Sequence, residues 1–352
     1  MAYTNIDDPS AYFQAKTYTG NGSNGFAITN DGNSDLQPDF WWVKNRDKSY
    51  DHNLYDSTRG TSLRLVSNGT QGDATATDRI ASFDTNGFTL NSSVISNENN
   101  NPHVAWQWKA NGGTTASNSD GATTSTVQAN QDAGFSIITW TGTGSATTLG
   151  HGLGVAPAML IVKNRTTAVD WAVYHKDLTD AGYVLQLNNT DAQADSGTNR
   201  WNHTDPTSSV FSVGAGQQTN QNTNNMICYA FAEKQGYSKF GKYAANGSAD
   251  GPFVYTGFKP AFIMFKKSSD SGDNWMMYDN KRPGFNVTDE ALHPNSSAVE
   301  YDNANANLDI LSNGFKLRSS FGWVNQNSHT YIYMAFAENP FVTSTGIPTT
   351  AR

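Results

Sequence analysis

Hydrophobic residues along the chain follow the two-residue period of β-strands and not the 3.6-residue period of helices. Short runs rich in Val, Ile, Thr, Tyr, Phe and Trp are separated by Asn-Gly, Asp-Gly, Gly-Ser and Asn-Asn turns. Residues 331–338 alternate large and small side chains, which is typical of a strand with one face on a core. Apolar residues occupy both the odd and the even positions of 40–43, 159–162 and 262–265, which predicts strands covered on both faces. We therefore expect an all-β protein with little helix.

An internal repeat organises these strands. Each copy contains a proline followed by apolar residues and a basic residue, at 38–46, 157–165 and 260–267. A phenylalanine follows later in each copy, and about 20 residues after it comes an aromatic residue inside an alternating strand, Trp108, Phe231 or Phe336. Constant order of these anchors predicts three copies of one structural unit.

The repeat gives the predicted domain boundaries. Units of about 100 residues with many short strands have the size of a β-sandwich. We predict three tandem β-sandwich repeats of jelly-roll or lectin-like type. The predicted segments are an N-terminal segment 1–11, repeat 1 at 12–109, a Gly/Ser/Thr/Asn-rich linker at 110–132, repeat 2 at 133–236, repeat 3 at 237–340 and a C-terminal tail 341–352.

Composition excludes several classes of protein. Only 15% of the 352 residues are charged, and the formal net charge is −8. Without a basic cluster, a nucleic-acid partner is not expected. No long apolar run and no signal-peptide pattern is present, so we expect a soluble chain without membrane insertion. Cys228 stands alone, which rules out an internal disulfide and a cysteine-based zinc site.

Catalytic and metal-binding motifs are missing from the sequence. The histidines are scattered, and none recurs at one position of all three units. Residues 31–35 resemble the first half of a calcium loop, but Leu36 and Trp42 stand where glycine and a bidentate acid are required. We predict a protein that is not an enzyme and that uses no cofactor or metal. A polysaccharide depolymerase is the enzymatic alternative, and it would require an acidic cluster in a groove.

Two tryptophans have no aromatic counterpart in the other units. Trp201 and Trp323 lie in loop-like, Asn-rich segments, whereas the other tryptophans occupy positions that are apolar elsewhere in the repeat. Sugar rings stack on aromatic faces and bond their hydroxyls to amides and imidazoles. The predicted ligand site therefore consists of Trp201, Asn202, His203, Trp323 and Asn325. The alternative is that each tryptophan packs under its own loop.

The second and third units contain several distinctive motifs: HGLGVAP (151–157), VKNR (162–165), DWAVYH (170–175), YAFAE (229–233), GYSKFG (236–241) and AENPF (337–341). By these motifs the chain resembles repeat-containing tail-fibre and other virion structural proteins of marine tailed bacteriophages, and the resemblance covers nearly the whole chain. It implies a non-enzymatic virion protein, assembled in the bacterial cytoplasm, with other virion proteins as partners.

Function follows from this resemblance as an expectation with an alternative. The expected role is a tail-fibre or tail-associated receptor-binding protein that contacts host-surface polysaccharide. The fibre analogy also implies a homo-oligomer, with a trimer as one option. The alternative is a capsid decoration protein on the head surface, with an architectural role.

Overall fold

A computed structural model describes residues 3–349 of the chain. The prediction of an all-β protein is confirmed, because the α-helices of this part of the chain are three single turns of four residues. Strands of the first unit are β1 (Phe13–Thr19), β2 (Phe26–Thr29), β3 (Phe40–Asn45), β4 (Asn53–Asp56), β5 (Gly60–Leu65), β6 (Ala74–Thr75), β7 (Ile80–Asp84), β8 (Gly87–Leu90) and β9 (Pro102–Trp108), with helix α1 (Val94–Asn97) before β9.

The predicted linker 110–132 supplies two strands instead of a free connection. These are β10 (Ala116–Asn118) and β11 (Ser125–Asn130), and β11 pairs with the first strand of the second unit. The linker prediction failed because β11 is a short polar strand that extends an existing sheet, and its composition resembles that of a loop. The second unit continues with β12 (Phe135–Thr141), β13 (Thr147–Gly150), β14 (Met159–Asn164), β15 (Ala172–His175), β16 (Tyr183–Gln186), β17 (Ala194–Asp195), β18 (Val210–Val213), α2 (Gln217–Asn220) and β19 (Asn225–Phe231).

The third unit follows with no spacer after the second. It contains β20 (Ser238–Ala244), β21 (Phe253–Tyr255), β22 (Phe258–Lys267), β23 (Met276–Asp279), β24 (Glu290–Ala291), β25 (Tyr301–Asp302), β26 (Leu308–Leu311), β27 (Gly314–Leu317), α3 (Gly322–Asn325) and β28 (Thr330–Pro340). Short 3₁₀ turns at Pro9–Ala11 and Ala304–Ala306 complete the regular structure.

Each unit contains a main antiparallel sheet with the same strand order. The orders are β1-β9-β3-β4, β12-β19-β14-β15 and β20-β28-β22-β23, with further strands added at the sides in the first two units. Register makes Phe40, Met159 and Phe262 equivalent, because each lies opposite the aromatic anchor Trp108, Phe231 or Phe336. A smaller outer sheet covers one face of each main sheet, in the orders β2-β8-β7, β13-β18 and β21-β27-β26.

The inner faces of the three main sheets share one central core. Trp108, Phe231 and Phe336 meet there in all three pairings, with ring centroids 6.2, 5.7 and 5.9 Å apart. Since these residues are equivalent, the three main sheets surround a common axis with approximate threefold symmetry. This arrangement explains the doubly covered strands: one face packs on the unit's own outer sheet and the other on the neighbouring units.

Equivalent backbone hydrogen bonds join neighbouring units around this axis. Asp73 N donates to Arg165 O at 2.7 Å, Gln193 N to Ser268 O at 2.9 Å, and Glu300 N to Arg46 O at 2.7 Å. Each bond links the residue just after a central strand of one unit to the next unit. The ring of units is therefore closed within a single chain.

Segments outside the units also pack against them. Thr4 donates its hydroxyl to Gln235 O at 2.7 Å, and the backbone N–H of Ser344 donates to the Asp7 carboxylate at 2.6 Å. Ile6 and Pro9 are buried. Residues 3–11 thus contact the central core through Ile6, and the segment 341–349 is bonded to them through Asp7.

Candidate ligand-binding surface

The structure places Trp201 in the interior of the second unit. Its side chain is 1% exposed, and its indole N–H donates to Tyr183 O at 3.1 Å. The ring packs edge-on to Tyr174, with centroids 5.9 Å apart. Because it is buried, Trp201 cannot contact a sugar. The structure therefore agrees with the alternative, in which this tryptophan packs under its own loop.

Asn202 and His203, the two residues after Trp201, have left-handed backbone angles, with φ of 52° and 48°. Asn202 is half-buried and His203 is exposed. The His203 ring lies 3.6 Å from the Asp180 carboxylate. Of the three site residues predicted in this loop, only His203 is exposed, with 56% of its side chain in solvent.

Asn325 is fully buried and acts as a structural residue. Its amide Nδ2 donates to Asn246 Oδ1, Ser248 O and Ser319 O at 2.9, 2.8 and 3.0 Å, and its Oδ1 accepts the backbone N–H of Asn246. No donor of this amide is left for a ligand.

Asn325 has equivalents that make the same contacts. Asn97 and Asn220 bind the corresponding loops of the first and second units. The signal was present in the sequence, since each asparagine precedes its aromatic anchor by 11 residues (97 to 108, 220 to 231, 325 to 336). Recurrence in every unit indicates a folding role.

Trp323 is half-buried and belongs to an aromatic cluster beside α3. Its ring lies 5.0 Å from Phe321, 5.1 Å from Tyr301 and 5.2 Å from His293, centroid to centroid. These three neighbouring rings cover part of the indole, which is why Trp323 is only half-exposed. The structure thus separates Trp323 from Trp201, which is buried in a different unit.

The buried histidines and the cysteine of the interior are held in their neutral forms. Within residues 3–349, no three His, Cys, Asp or Glu side chains come together in a metal-binding arrangement. Burial lowers the pKa of His103 and His175 to about 4, so both are neutral at pH 7. His175 has its Nε2 3.1 Å from Tyr333 O of the third unit. Burial also raises the pKa of the Cys228 thiol well above its usual value, which keeps it protonated.

Two equivalent buried carboxylates are paired with arginines. Asp56 and Arg59 form an ion pair at 2.6 Å, and Asp279 and Arg282 form the equivalent pair at 2.7 Å. Both pairs are buried beside a neighbouring unit. Tyr229 donates its hydroxyl to Asp56 at 2.8 Å, and the indole of Trp106 donates to Asp279 at 3.0 Å. The carboxylates therefore join units.

Exposed aromatic side chains are concentrated in the third unit. Phe253 is 44% exposed, Tyr255 53% and Phe285 80%, and no other aromatic residue of the described chain is among its exposed large hydrophobic residues. Large exposed apolar groups on a polar surface mark sites of interaction. None of these three is among the predicted site residues, because the local sequence does not distinguish an exposed aromatic side chain from a buried one.

Equivalent positions of the other units provide an internal comparison for Phe253 and Tyr255. Val254, between them, pairs with Phe315, as Leu149 pairs with Phe211 and Ile28 with Phe88. The residues that replace the two aromatic side chains are therefore Thr148 and Gly150 in the second unit, and Ala27 and Thr29 in the first. The repeat does not require aromatic residues at these positions.

Phe253 and Tyr255 point outward from the outer sheet of the third unit, while Val254 points inward and is 6% exposed. Tyr255 lies opposite Gly314 in register and Phe253 opposite Lys316. A Cβ on Gly314 would come within 3.0 Å of the Phe253 ring, so that ring packs over the glycine. Because Gly314 has no side chain, nothing at that position covers the two rings.

Charged groups border the two rings. The Lys316 ammonium lies 2.9 Å from the Asp250 carboxylate and donates to Gly251 O at 2.8 Å. Asp250 is exposed, and the hydrogen bond from Lys316 lowers the pKa of its carboxyl group. We refer to Phe253, Tyr255, Lys316 and Asp250 as the aromatic face. It offers flat apolar surface next to hydrogen-bonding groups.

Comparison with known families gives a match over nearly the whole chain. Residues 8–340 match the model of a domain of unknown function, DUF7483. The chain belongs to this family. No curated protein matches it. The match runs through all three units as one domain, in agreement with the central core that they share. None of the helices between residues 3 and 349 has the length and apolar character of a membrane span.

A groove lies beside the aromatic face, on the other side of the turn at Ser312. Its volume is about 290 Å³. Side chains from several segments of the third unit line it, including Lys259, Asn280, Lys281, Phe285, Asn286, Ser312 and Glu338. Polar groups predominate, and Phe285 stands at the rim with most of its ring in solvent.

Proposed function

We propose that this chain is a non-enzymatic structural protein of a tailed-phage particle that attaches to host-surface polysaccharide through the aromatic face. The resemblance of the repeat to tail-fibre and virion proteins supports the assignment to a particle. The observation that carries the binding role is the pair of exposed rings, Phe253 and Tyr255, at positions where the other units have small or polar residues.

The chemistry of the aromatic face suits a sugar. A pyranose presents C–H groups to an aromatic ring and hydroxyls to neighbouring polar groups. Tyr255 offers a half-exposed ring with its hydroxyl 3.3 Å from that of Tyr3, and Lys316 and Asp250 offer a donor and an acceptor. Rings two residues apart on one strand point to the same side, so an extended glycan can contact both.

The closed ring of units suits a binding role without catalysis. The shared core and the bonds between units hold the outer sheet of the third unit on a rigid support. The buried carboxylates of Asp56 and Asp279 are engaged by Arg59 and Arg282, so these two do not form the free acid and base pair that glycoside hydrolysis requires.

The proposal also includes the class of β-sandwich and the partners of the chain. We assign the units to the lectin-like class of β-sandwiches, because each stacks a small outer sheet on a larger one around its own apolar cluster. The particle role implies contacts with other virion proteins and, by the fibre analogy, with further copies of this chain. Sedimentation of the purified chain measures whether copies of this chain associate.

Immunogold electron microscopy of intact particles tests the assignment. Antibody raised against this chain should label the tail. Labelling over the head would contradict the receptor-binding role and would favour a capsid decoration protein. Particles without label, alongside labelled purified chain as the control, would contradict a virion location altogether.

A further inference from the structure

The groove beside the turn at Ser312 is lined in part by a loop that is longer than its counterpart in the first unit. Leu292 lies 13 positions after Asp279, whereas Leu65 lies nine positions after Asp56 in the first unit. The third unit therefore has an inserted loop, and Phe285 lies in it. An 80% exposed phenylalanine in a unit-specific insertion serves no core.

The inserted loop is anchored, which gives Phe285 a defined position. The side chain of Asn286 donates to Ile310 O at 2.8 Å and accepts the N–H of Ile310 at 2.9 Å. This pair of bonds attaches the loop to the edge of β26. Phe285 is thus held at the rim of the groove by its neighbour.

Groove and aromatic face are adjacent along the surface. The carbonyl of Asn313 accepts the N–H groups of Thr256 and Gly257 at 3.0 and 3.2 Å, which fixes the turn against the end of the strand that carries Tyr255. Ser312, on the other side of this turn, lines the groove. One narrow turn therefore separates the two surfaces.

Charges in the groove are already compensated. Lys259 pairs with Glu338 at 2.6 Å, and Lys281 pairs with Asp31 of the first unit at 3.1 Å. Burial raises the pKa of Asp31, but hydrogen bonds from Lys16 and Lys281 outweigh it and lower that pKa overall. The lining thus carries no unpaired charge that would select an anionic ligand.

Neutral hydrogen-bonding groups complete the lining. The Oδ1 atom of Asn280 is buried and has no hydrogen-bond partner within residues 3–349. Thr288 and Ser312 contribute hydroxyls. At about 290 Å³ the groove is at the lower limit of ligand pockets, which suits a short part of an extended ligand.

We infer that the groove is a second subsite for a neutral, linear polysaccharide, which crosses the turn at Ser312 from the aromatic face and stacks on Phe285. This inference rests on the proposed function, because the aromatic face provides the first subsite. Phe285 supplies a stacking ring, and the asparagine and hydroxyl groups replace the water bound to the sugar.

Calorimetric titration of the full chain tests the inference by ligand length. The probes are disaccharides and octasaccharides of the gluco, manno and galacto series. The wild-type chain should bind one of the octasaccharides more tightly than its disaccharide. Phe285→Ala should lower affinity for that octasaccharide about tenfold and leave the disaccharide unchanged. Ser312→Trp, which fills the mouth of the groove, should have the same effect.

Controls separate this inference from the proposed function. Tyr255→Ala should weaken binding of both lengths, and Val155→Ala, an exposed position in the second unit, should change neither. Octasaccharide binding that is lost in Tyr255→Ala but intact in both groove variants would overturn the second subsite alone. A wild-type chain that binds none of these probes would overturn the aromatic face as a neutral-glycan site, and the subsite with it.

Discussion

The ring of Trp108 in the first unit lies 5.7 Å, centroid to centroid, from the ring of Phe336 in the third unit, although 228 positions separate them in the sequence. Phe231 of the second unit touches both. These equivalent residues bring the three units together on one axis, so the stability of each unit depends on the other two.

Replacing Trp108 with alanine should destabilise the whole chain. The ring is 2% exposed, so its removal leaves a cavity at the axis, and the free energy of unfolding should fall by about 3–5 kcal/mol. Urea unfolding followed by circular dichroism measures this, with Val155→Ala as the control. One cooperative transition is expected for both variants. Separate transitions for the three units would contradict a shared core.

Replacing Tyr229 with phenylalanine should weaken the junction of the first two units. The hydroxyl that donates to Asp56 is lost, and the carboxylate keeps only its bonds from Arg59 in a fully buried site. We expect the free energy of unfolding to fall by about 1–3 kcal/mol in the same urea experiment. Tyr255→Phe removes a hydroxyl from an exposed position and should change stability by less than about 0.5 kcal/mol.

Alanine at Asn325 should lower stability by about 1–3 kcal/mol, because four hydrogen bonds are lost inside the protein. Asn97→Ala and Asn220→Ala should have similar costs, since their side chains hold the equivalent loops. Thermal unfolding of the three variants makes the comparison. A loss of glycan binding in Asn325→Ala with an unchanged melting temperature would instead restore Asn325 as a ligand residue.

Stability should rise with pH from about 8 to about 9. Burial lowers the pKa of Lys44, Lys163 and Lys266 to about 8, while the unfolded chain titrates lysine near 10.5. In this window the unfolded state binds more protons, so deprotonation favours folding. Towards pH 10 the buried tyrosines reverse the trend, because burial raises the pKa of residues such as Tyr243 while the unfolded chain titrates tyrosine near 10.

Denaturation midpoints across this pH range check the lysine prediction. Lys44→Met should reduce the upward slope, because one of the three titrating groups is removed. The exposed Lys242, on the edge of the third unit's main sheet, provides Lys242→Met as a control with an unchanged slope. A flat or falling profile in the wild-type chain would show that these lysines stay charged in the folded state.

Much of the fold could be predicted from the sequence because it depends on local patterns. The turn residues and the two-residue period gave the all-β class, and the apolar runs at 40–43, 159–162 and 262–265 are buried on both faces. The partner of the second face could not be predicted. An apolar pattern shows that a face is covered, but it does not identify another unit as the cover.

The candidate site could be predicted less well, since exposure depends on tertiary contacts. Trp201 and Trp323 share an Asn-rich setting in the sequence, yet one is buried and the other half-buried. Phe253 and Tyr255 flank the buried Val254 in an apparently ordinary strand. Their exposure follows from the outer sheet having nothing packed over it, which the structure reveals and the repeat alignment alone could not.

The most direct measurement of the binding role is retention of the purified chain on immobilised polysaccharide from the envelope of a susceptible host. The wild-type chain should be retained, and the double variant Phe253→Ala with Tyr255→Ala should elute unretained while keeping its melting temperature. Val94→Ala, at an exposed position of the first unit, should behave as wild type. Equal retention of the wild-type chain and the double variant would contradict attachment through the aromatic face.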